Sequence, residues 1–360
     1  MMTNQFQNCS DQELNHLYQD ILTNDETGLR PRSFDPYIQN ILNQTDGSLT
    51  FGQGWNYAKT QFYEEVARRF FPEKINDTDK QNHTKIIHVL QNYYAQAAQH
   101  HDILFVALYG SQHYGYDTPD SDIDAYAAYL PTLSQLYFEM EPDSMKRAAA
   151  HTHTLTFPTG ICVCKDIRDM FENYLKQSIP FCETLTTPYV IWNPKYKDLL
   201  QRFLFKYESV ITNCDPKQQV RTTFGQLAAC QTILPKSDDD FGKVTARAFF
   251  LYQFLQKRIM QNLPFKEALL PTDEERQTMQ LIRNRQKYQT KEACLDYILH
   301  LIVTARDMEA AWLAQYPISD DQTHQHNLEV RDMLANTCHL LLTERSKVQS
   351  TAHPLKGMSL

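Results

Sequence analysis

One short stretch of the chain constrains its fold more than any other. Every residue from 103 to 109 is apolar, the next two are Gly110 and Ser111, and a polar segment then leads to Asp122 and Asp124. An unbroken apolar run of this length is typical of a strand buried on both faces, and the glycine after it indicates a tight turn. We therefore expect a small sheet whose central strand delivers polar residues to one sheet edge.

The two aspartates of this stretch are arranged like a metal-binding pair. Asp122 and Asp124 are two positions apart, so in a strand both carboxylates point to one side while Ile123 between them faces the core. Two carboxylates at that spacing repel each other unless a cation lies between them, and small sites of hard oxygen ligands suit Mg²⁺ or Mn²⁺. The pair is therefore a candidate metal site.

The turn before the aspartates has the features of a phosphate site. Exposed backbone N–H groups after the strand, together with the Ser111 hydroxyl, can hold phosphate oxygens, and Gly110 allows close approach. Ser121 is expected to cap the turn that enters the second strand. Alone, a Gly-Ser turn or an Asp-x-Asp pair is often only a turn or a solvated face. Together, they favour phosphoryl or nucleotidyl transfer, which depends on alignment and charge neutralisation.

The rest of the chain predicts an α+β fold with a small mixed sheet between helical segments. We expect helices over residues 1–101, a core over residues 102–194 and a helical domain over residues 195–360. Within the core, a strand over 123–129 and a hairpin over 151–164 would complete a sheet of four or five strands. Apolar periodicity predicts later helices over 167–177, 195–210, 218–234, 241–261, 273–285, 291–314 and 327–342.

These residues resemble a known family. Gly110-Ser111, then Tyr114-Gly115, then Ser121-Asp122-Ile123-Asp124 look like the signature of the DNA polymerase beta-like nucleotidyltransferase superfamily, in particular its bacterial and phage group of predicted nucleotidyltransferases. The stretches 165–185 and 193–196 are similar to the segment that follows the motif in that group. The resemblance is firm over roughly the middle third of the chain and loose over the helical flanks.

The resemblance implies transfer of an NMP group from an NTP to an acceptor hydroxyl by a two-metal-type mechanism. Gly110, Ser111 and Ser121 would lie at the nucleotide phosphates, and Asp122 and Asp124 would ligate the metal ions. The acceptor could be RNA, a protein or a small molecule. The leading alternative is a nucleotide-binding pseudoenzyme with a regulatory or interaction role, and a metal-dependent phosphohydrolase is a weaker one.

The superfamily usually adds a third carboxylate on a neighbouring strand, where it binds metal and helps to deprotonate the acceptor. The strand expected at 161–166 has Cys162-Val163-Cys164 at its centre, so Asp166 at its end is the best candidate. Asp166 fits an N-cap for the next helix equally well. Glu183 is a second candidate, although we expect it to brace its segment by pairing with an arginine.

Two basic residues are further candidates for the nucleotide site. Lys243 and Arg247 are four positions apart on an expected helix and therefore share one face. Related proteins often present basic residues to the nucleotide at this place. Contact with the triphosphate and a solvated basic face both remain open.

The amino-acid composition limits the expected binding partners and cellular location of the protein. The formal charge of -8 gives no general attraction to nucleic acid or to an anionic membrane. The eight cysteines are scattered, no signal segment opens the chain, and the longest apolar runs are too short to cross a bilayer. We therefore expect a cytoplasmic protein with reduced thiols and no membrane partner.

Overall fold

The computed structural model describes residues 4–10, 12–14, 16–17, 20–21, 31–45, 48–69, 80–114, 121–132, 135, 152–237, 240–316 and 320–352. Gly115 of the motif lies outside these residues. The described part combines helices with one five-stranded mixed sheet, as the α+β prediction requires. In this part of the chain, no helix combines the length and the apolar character that a bilayer crossing needs.

The apolar run forms a strand of the sheet that lies between the central strand and an edge strand. Its strands are β1 (Asp102–Tyr109), β2 (Asp124–Leu130), β3 (Thr152–Phe157), β4 (Gly160–Asp166) and β5 (Val190–Trp192). Their order is β3-β4-β2-β1-β5, with β2 and β4 parallel and the other neighbours antiparallel. The predicted first two strands and the hairpin are confirmed. The periodicity missed β5 because three residues are too few to display a period.

The sheet is a wall between two hydrophobic cores. One core joins its first face to the N-terminal helices, and the second joins the opposite face to the C-terminal helices. Residues of β1 enter both cores, and seven of its eight positions are buried. This double burial is the reason why the sequence from 103 to 109 is continuously apolar rather than alternating.

Helices precede, follow and frame the strands. On the N-terminal side they are α1 (Asp35–Gln44), α2 (Phe51–Arg69) and α3 (Lys80–Ala97), and α4 (Ser111–Tyr114) follows β1. The later helices are α5 (Ile167–Leu175), α6 (Ile179–Thr186), α7 (Lys197–Phe203), α8 (Glu208–Thr212), α9 (Pro216–Ile233), α10 (Phe241–Met260), α11 (Phe265–Leu269), α12 (Asp273–Arg283), α13 (Lys291–Gln315) and α14 (Asp320–Ala352).

One helix prediction is wrong. The single helix expected over 195–210 is divided into α7, a 3₁₀ turn at Phe205–Tyr207, and α8. The chain bends after Leu204, which lets the Phe205 ring pack edge-on against Phe105 and Trp192, with ring centroids 5.4 and 4.4 Å apart. Tertiary packing of this aromatic residue outweighs the helical period.

Candidate active site

A cavity of about 340 Å³ lies where the sheet edge meets the C-terminal helices. The end of β1 and the start of β2 open into it, because antiparallel neighbours bring these two ends to the same edge. The remaining walls come from α6, α9, α10 and α12. The sequence-predicted residues that line it are Gly110, Ser111, Asp122, Asp124, Glu183, Lys243 and Arg247.

The two aspartates face this cavity together. Ile123 between them is 1% exposed and packs in the N-terminal core, so its neighbours turn the other way. Asp124 is half-buried, and its Oδ1 accepts a hydrogen bond from the Ile161 N–H at 3.1 Å. Burial raises the pKa of Asp124, and the nearby charge of Asp122 raises it further. This electrostatic cost is the kind that a bound cation relieves.

The turn after β1 needs a glycine because of its backbone conformation. Gly110 has φ +91°, a backbone conformation that side chains with a Cβ rarely adopt. Its N–H donates to Glu183 Oε1 at 2.7 Å, so this amide is engaged and is not a free phosphate donor. Gly110 therefore shapes the turn, and Ser111 after it lines the cavity.

Glu183 braces this turn. It is fully buried, receives the Gly110 N–H on one oxygen and bonds the Tyr114 hydroxyl with the other. The bracing role predicted for Glu183 is therefore present. The prediction that its partner is an arginine is wrong, because Gly110 and Tyr114 bind the carboxyl instead. Burial raises the pKa of Glu183 well above its ordinary value, which outweighs the opposing effect of its two hydrogen bonds. The Glu183 carboxyl therefore keeps its proton to a higher pH than an exposed glutamate does.

We expect the Glu183→Gln protein to fold normally and Glu183→Ala to lose about 3 kcal/mol of stability. Glutamine keeps an acceptor for Gly110, whereas alanine leaves that buried N–H without one. A carboxyl with a raised folded-state pKa loses its stabilising contribution as pH rises above about 4.5, the ordinary value. Urea unfolding of wild type from pH 4.5 to pH 8 should therefore show a decline that Glu183→Gln lacks. Parallel profiles for the two proteins would contradict a raised pKa for Glu183.

Three cationic side chains line the cavity opposite the carboxylates. Lys243 and Arg247 project from the exposed face of α10, and Lys243 Nζ lies 3.7 Å from Asp122 Oδ2. The third is Arg283, at the end of α12, which the sequence analysis missed. One of its NH2 hydrogens is donated to the Ser121 hydroxyl at 2.8 Å, and its buried NH1 has no hydrogen-bond partner.

Close helix packing explains how Arg283 reaches the site. A Cβ on Gly242 in α10 would lie 2.3 Å from the backbone oxygen of Arg283, so only glycine permits this contact. Arg283 is 162 positions from Ser121 in the chain. No local sequence pattern could have linked them, although a glycine in the first turn of α10 was a readable sign of close approach.

Asp166 does not join the site, which corrects its assignment as the third carboxylate. It pairs with Tyr129 in the parallel β2–β4 register, five positions beyond Asp124, or about 16 Å along the strand. Its carboxylate caps α5 through the Arg168 N–H and forms an ion pair with the Arg168 guanidinium. The N-cap alternative is therefore confirmed.

The strand beside Asp124 has apolar residues on the face that Asp124 occupies. Cys162 pairs with Ala125, and both pack in the N-terminal core, so Ile161 and Val163 lie on the face of β4 that corresponds to Asp124. Among the described residues, no three His, Cys, Asp or Glu side chains cluster closely enough to hold a metal ion. The aspartate pair nevertheless fits Mg²⁺, which takes one or two protein carboxylates and completes its shell with water and substrate phosphates.

Searches of protein-family models and of curated protein sequences gave no match for this chain. The cavity and the family resemblance of the Gly110-to-Asp124 segment therefore carry the functional proposal.

Proposed function

We propose that this chain is a Mg²⁺-dependent nucleotidyltransferase, which moves an NMP group from an NTP to an acceptor hydroxyl and releases pyrophosphate. The observation that carries the proposal is the convergence of Asp122 and Asp124 with the Ser111 turn in one cavity. The cations on the opposite wall support it, because a triphosphate brings several negative charges that need neutralising. The cavity volume of about 340 Å³ is within the range of small-molecule sites.

In the proposed reaction, the acceptor oxygen forms a bond to the α-phosphorus as the bond from that phosphorus to the bridging oxygen breaks. Pyrophosphate leaves with the electron pair, and the acceptor proton passes to solvent. Lys243, Arg247 and Arg283 would hold the departing phosphates and offset their charge. Mg²⁺ bound by the aspartates would contribute charge neutralisation and alignment of the phosphates.

A nucleotide-binding protein that does not transfer is the second candidate. The observation that favours it is the pair Ile161 and Val163 beside Asp124, where the superfamily would place an acidic residue. Such a site would retain the phosphate-holding groups but would lack, on this strand, the carboxylate that accepts the acceptor's proton.

A paired experiment separates the two candidates. Calorimetry with ATP and Mg²⁺ measures binding, and a labelled-NTP assay over RNA, protein and small-alcohol acceptors measures transfer. The transferase predicts labelled product together with pyrophosphate. Binding without product would support the second candidate, release of free phosphate would indicate a phosphohydrolase, and absence of any nucleotide binding would overturn both proposals.

We expect Arg283→Gln to weaken NTP binding about tenfold, because one charge-assisted hydrogen bond to a phosphate contributes about 1.5 kcal/mol. The matched control is Arg276→Gln on the same helix, since Arg276 pairs with Asp273 and does not line the cavity. Titration calorimetry with ATP and Mg²⁺ measures both. Equal affinities for the two variants would show that Arg283 only supports Ser121 and does not contact the nucleotide.

A further inference from the structure

A second cavity, of about 290 Å³, lies within the C-terminal helices. The end of α10, the start of α9 and the end of α13 enclose it, and it shares no lining residue with the candidate active site. Its walls include Arg258, Trp312 and Tyr316. Arg258 is fifteen positions beyond Lys243 on α10, which corresponds to about 22 Å along the helix.

Arg258 is a buried cation that forms no ion pair with a carboxylate of the described residues. The residue is only 7% exposed, its NH1 donates to the Leu263 carbonyl, and its Nε has no hydrogen-bond partner. No carboxylate of the described residues lies within ion-pair distance of it. The adjacent Lys257, by contrast, is paired with Glu275 at 2.6 Å.

This arrangement is costly without an anion. Burial lowers the pKa of Arg258 to about 10, but the guanidinium still carries its charge at neutral pH. A buried charge is normally compensated by an opposite charge and by hydrogen bonds to its remaining donors. Since the described side chains around Arg258 supply no carboxylate, the cavity beside the guanidinium is a place from which the opposite charge can come.

The other residues of the cavity wall indicate the chemistry of the uncharged part of the ligand. The Trp312 and Tyr316 rings lie against each other with centroids 4.4 Å apart, and Val220 adds an aliphatic surface. Flat apolar walls of this kind suit a planar apolar body. Lys217 lies over the Tyr316 ring at 5.2 Å, so this second cation is positioned by the aromatic face.

We infer that this cavity binds a small monocarboxylate with a flat apolar body. The carboxylate would lie against the Arg258 guanidinium, and the body would pack against Trp312 and Tyr316. A single negative charge balances the single buried guanidinium, whereas a phosphate dianion would bring a charge that no second buried cation of the cavity wall offsets.

Benzoate is the probe for this site, in the full chain. We expect calorimetry to show saturable benzoate binding, with the neutral benzamide at least tenfold weaker. Arg258→Met should also weaken benzoate at least tenfold, while Arg306→Met, which removes an exposed arginine on α13 from outside the cavity, should not. Tryptophan fluorescence should change on binding in wild type, and Trp312→Phe should abolish most of that change.

Thermal unfolding keeps the test independent of folding defects. Arg258→Met should melt at or above the wild-type temperature without ligand, because it removes an uncompensated buried charge, and benzoate should raise the melting temperature of wild type alone. Failure of wild type to bind benzoate, equal binding by Arg258→Met, or tighter binding of inorganic phosphate than of benzoate would each overturn the inference.

Discussion

The Asp124→Asn protein is expected to lose Mg²⁺-dependent nucleotidyl transfer by a factor on the order of 10³ while it keeps its fold. Asparagine retains an oxygen that can accept the Ile161 N–H, so the local hydrogen bond survives. It lacks the negative charge that the proposed magnesium ligand needs. Because burial raises the pKa of Asp124, loss of this charge should leave stability equal to wild type or slightly higher.

Asp122→Ala should show the same loss of transfer. The Asp122 side chain is 55% exposed, so its truncation leaves no cavity in the core. The measurement is labelled product formed per unit time beside a thermal melt of each variant, with the exposed Asp198→Asn on α7 as the control. Undiminished transfer in either cavity variant would remove the aspartate pair from the proposed chemistry.

We expect Gly160→Ala to destabilise the protein by about 3 kcal/mol or more and to displace the aspartate pair. Gly160 has φ +139°, and an added Cβ would lie 2.5 Å from the Ile123 oxygen and 2.8 Å from the Ile123 nitrogen. Both are backbone atoms and cannot rotate away. The Ile123 backbone is already held by the Thr159 carbonyl and by the Tyr93 hydroxyl, each at 2.8 Å.

The consequence for function follows from the position of Ile123 between the two aspartates. Any shift of its backbone moves both carboxylates, so divalent-ion binding should weaken together with stability. Gly225→Ala is the matched control, because nothing lies within 4 Å of its added Cβ and alanine favours the middle of α9 by about 1 kcal/mol. Urea midpoints and Mn²⁺ titrations measure both effects. A Gly160→Ala protein as stable as Gly225→Ala would contradict the close contact.

One helix, α10, contributes cationic residues to both cavities. Near its start, α10 presents Lys243 and Arg247 to the proposed nucleotide site, and in its last turn it carries Arg258 into the second cavity. The arginine at the end benefits from the helix dipole, which favours a cation there, but the dipole does not supply a hydrogen-bonding partner.

Several local features of the fold could be predicted from the sequence alone. The apolar run after residue 102 specified a doubly buried strand, because no other short element hides every side chain. The spacing of Asp122, Ile123 and Asp124 determined that the two acids share a side while the isoleucine enters the core, since side chains alternate along a strand. Most helices were predictable for the same reason, because an apolar stripe repeats with the helical period.

Only the tertiary structure decided which distant groups meet these residues. The parallel register of β2 and β4 placed Ile161 beside Asp124 and Asp166 far from it, and register depends on packing between strands rather than on either strand alone. Glu183 reached the Gly110 amide, and Arg283 reached Ser121, across 73 and 162 positions of chain. Such contacts arise from the way helices stack on the sheet, so no local pattern carries them.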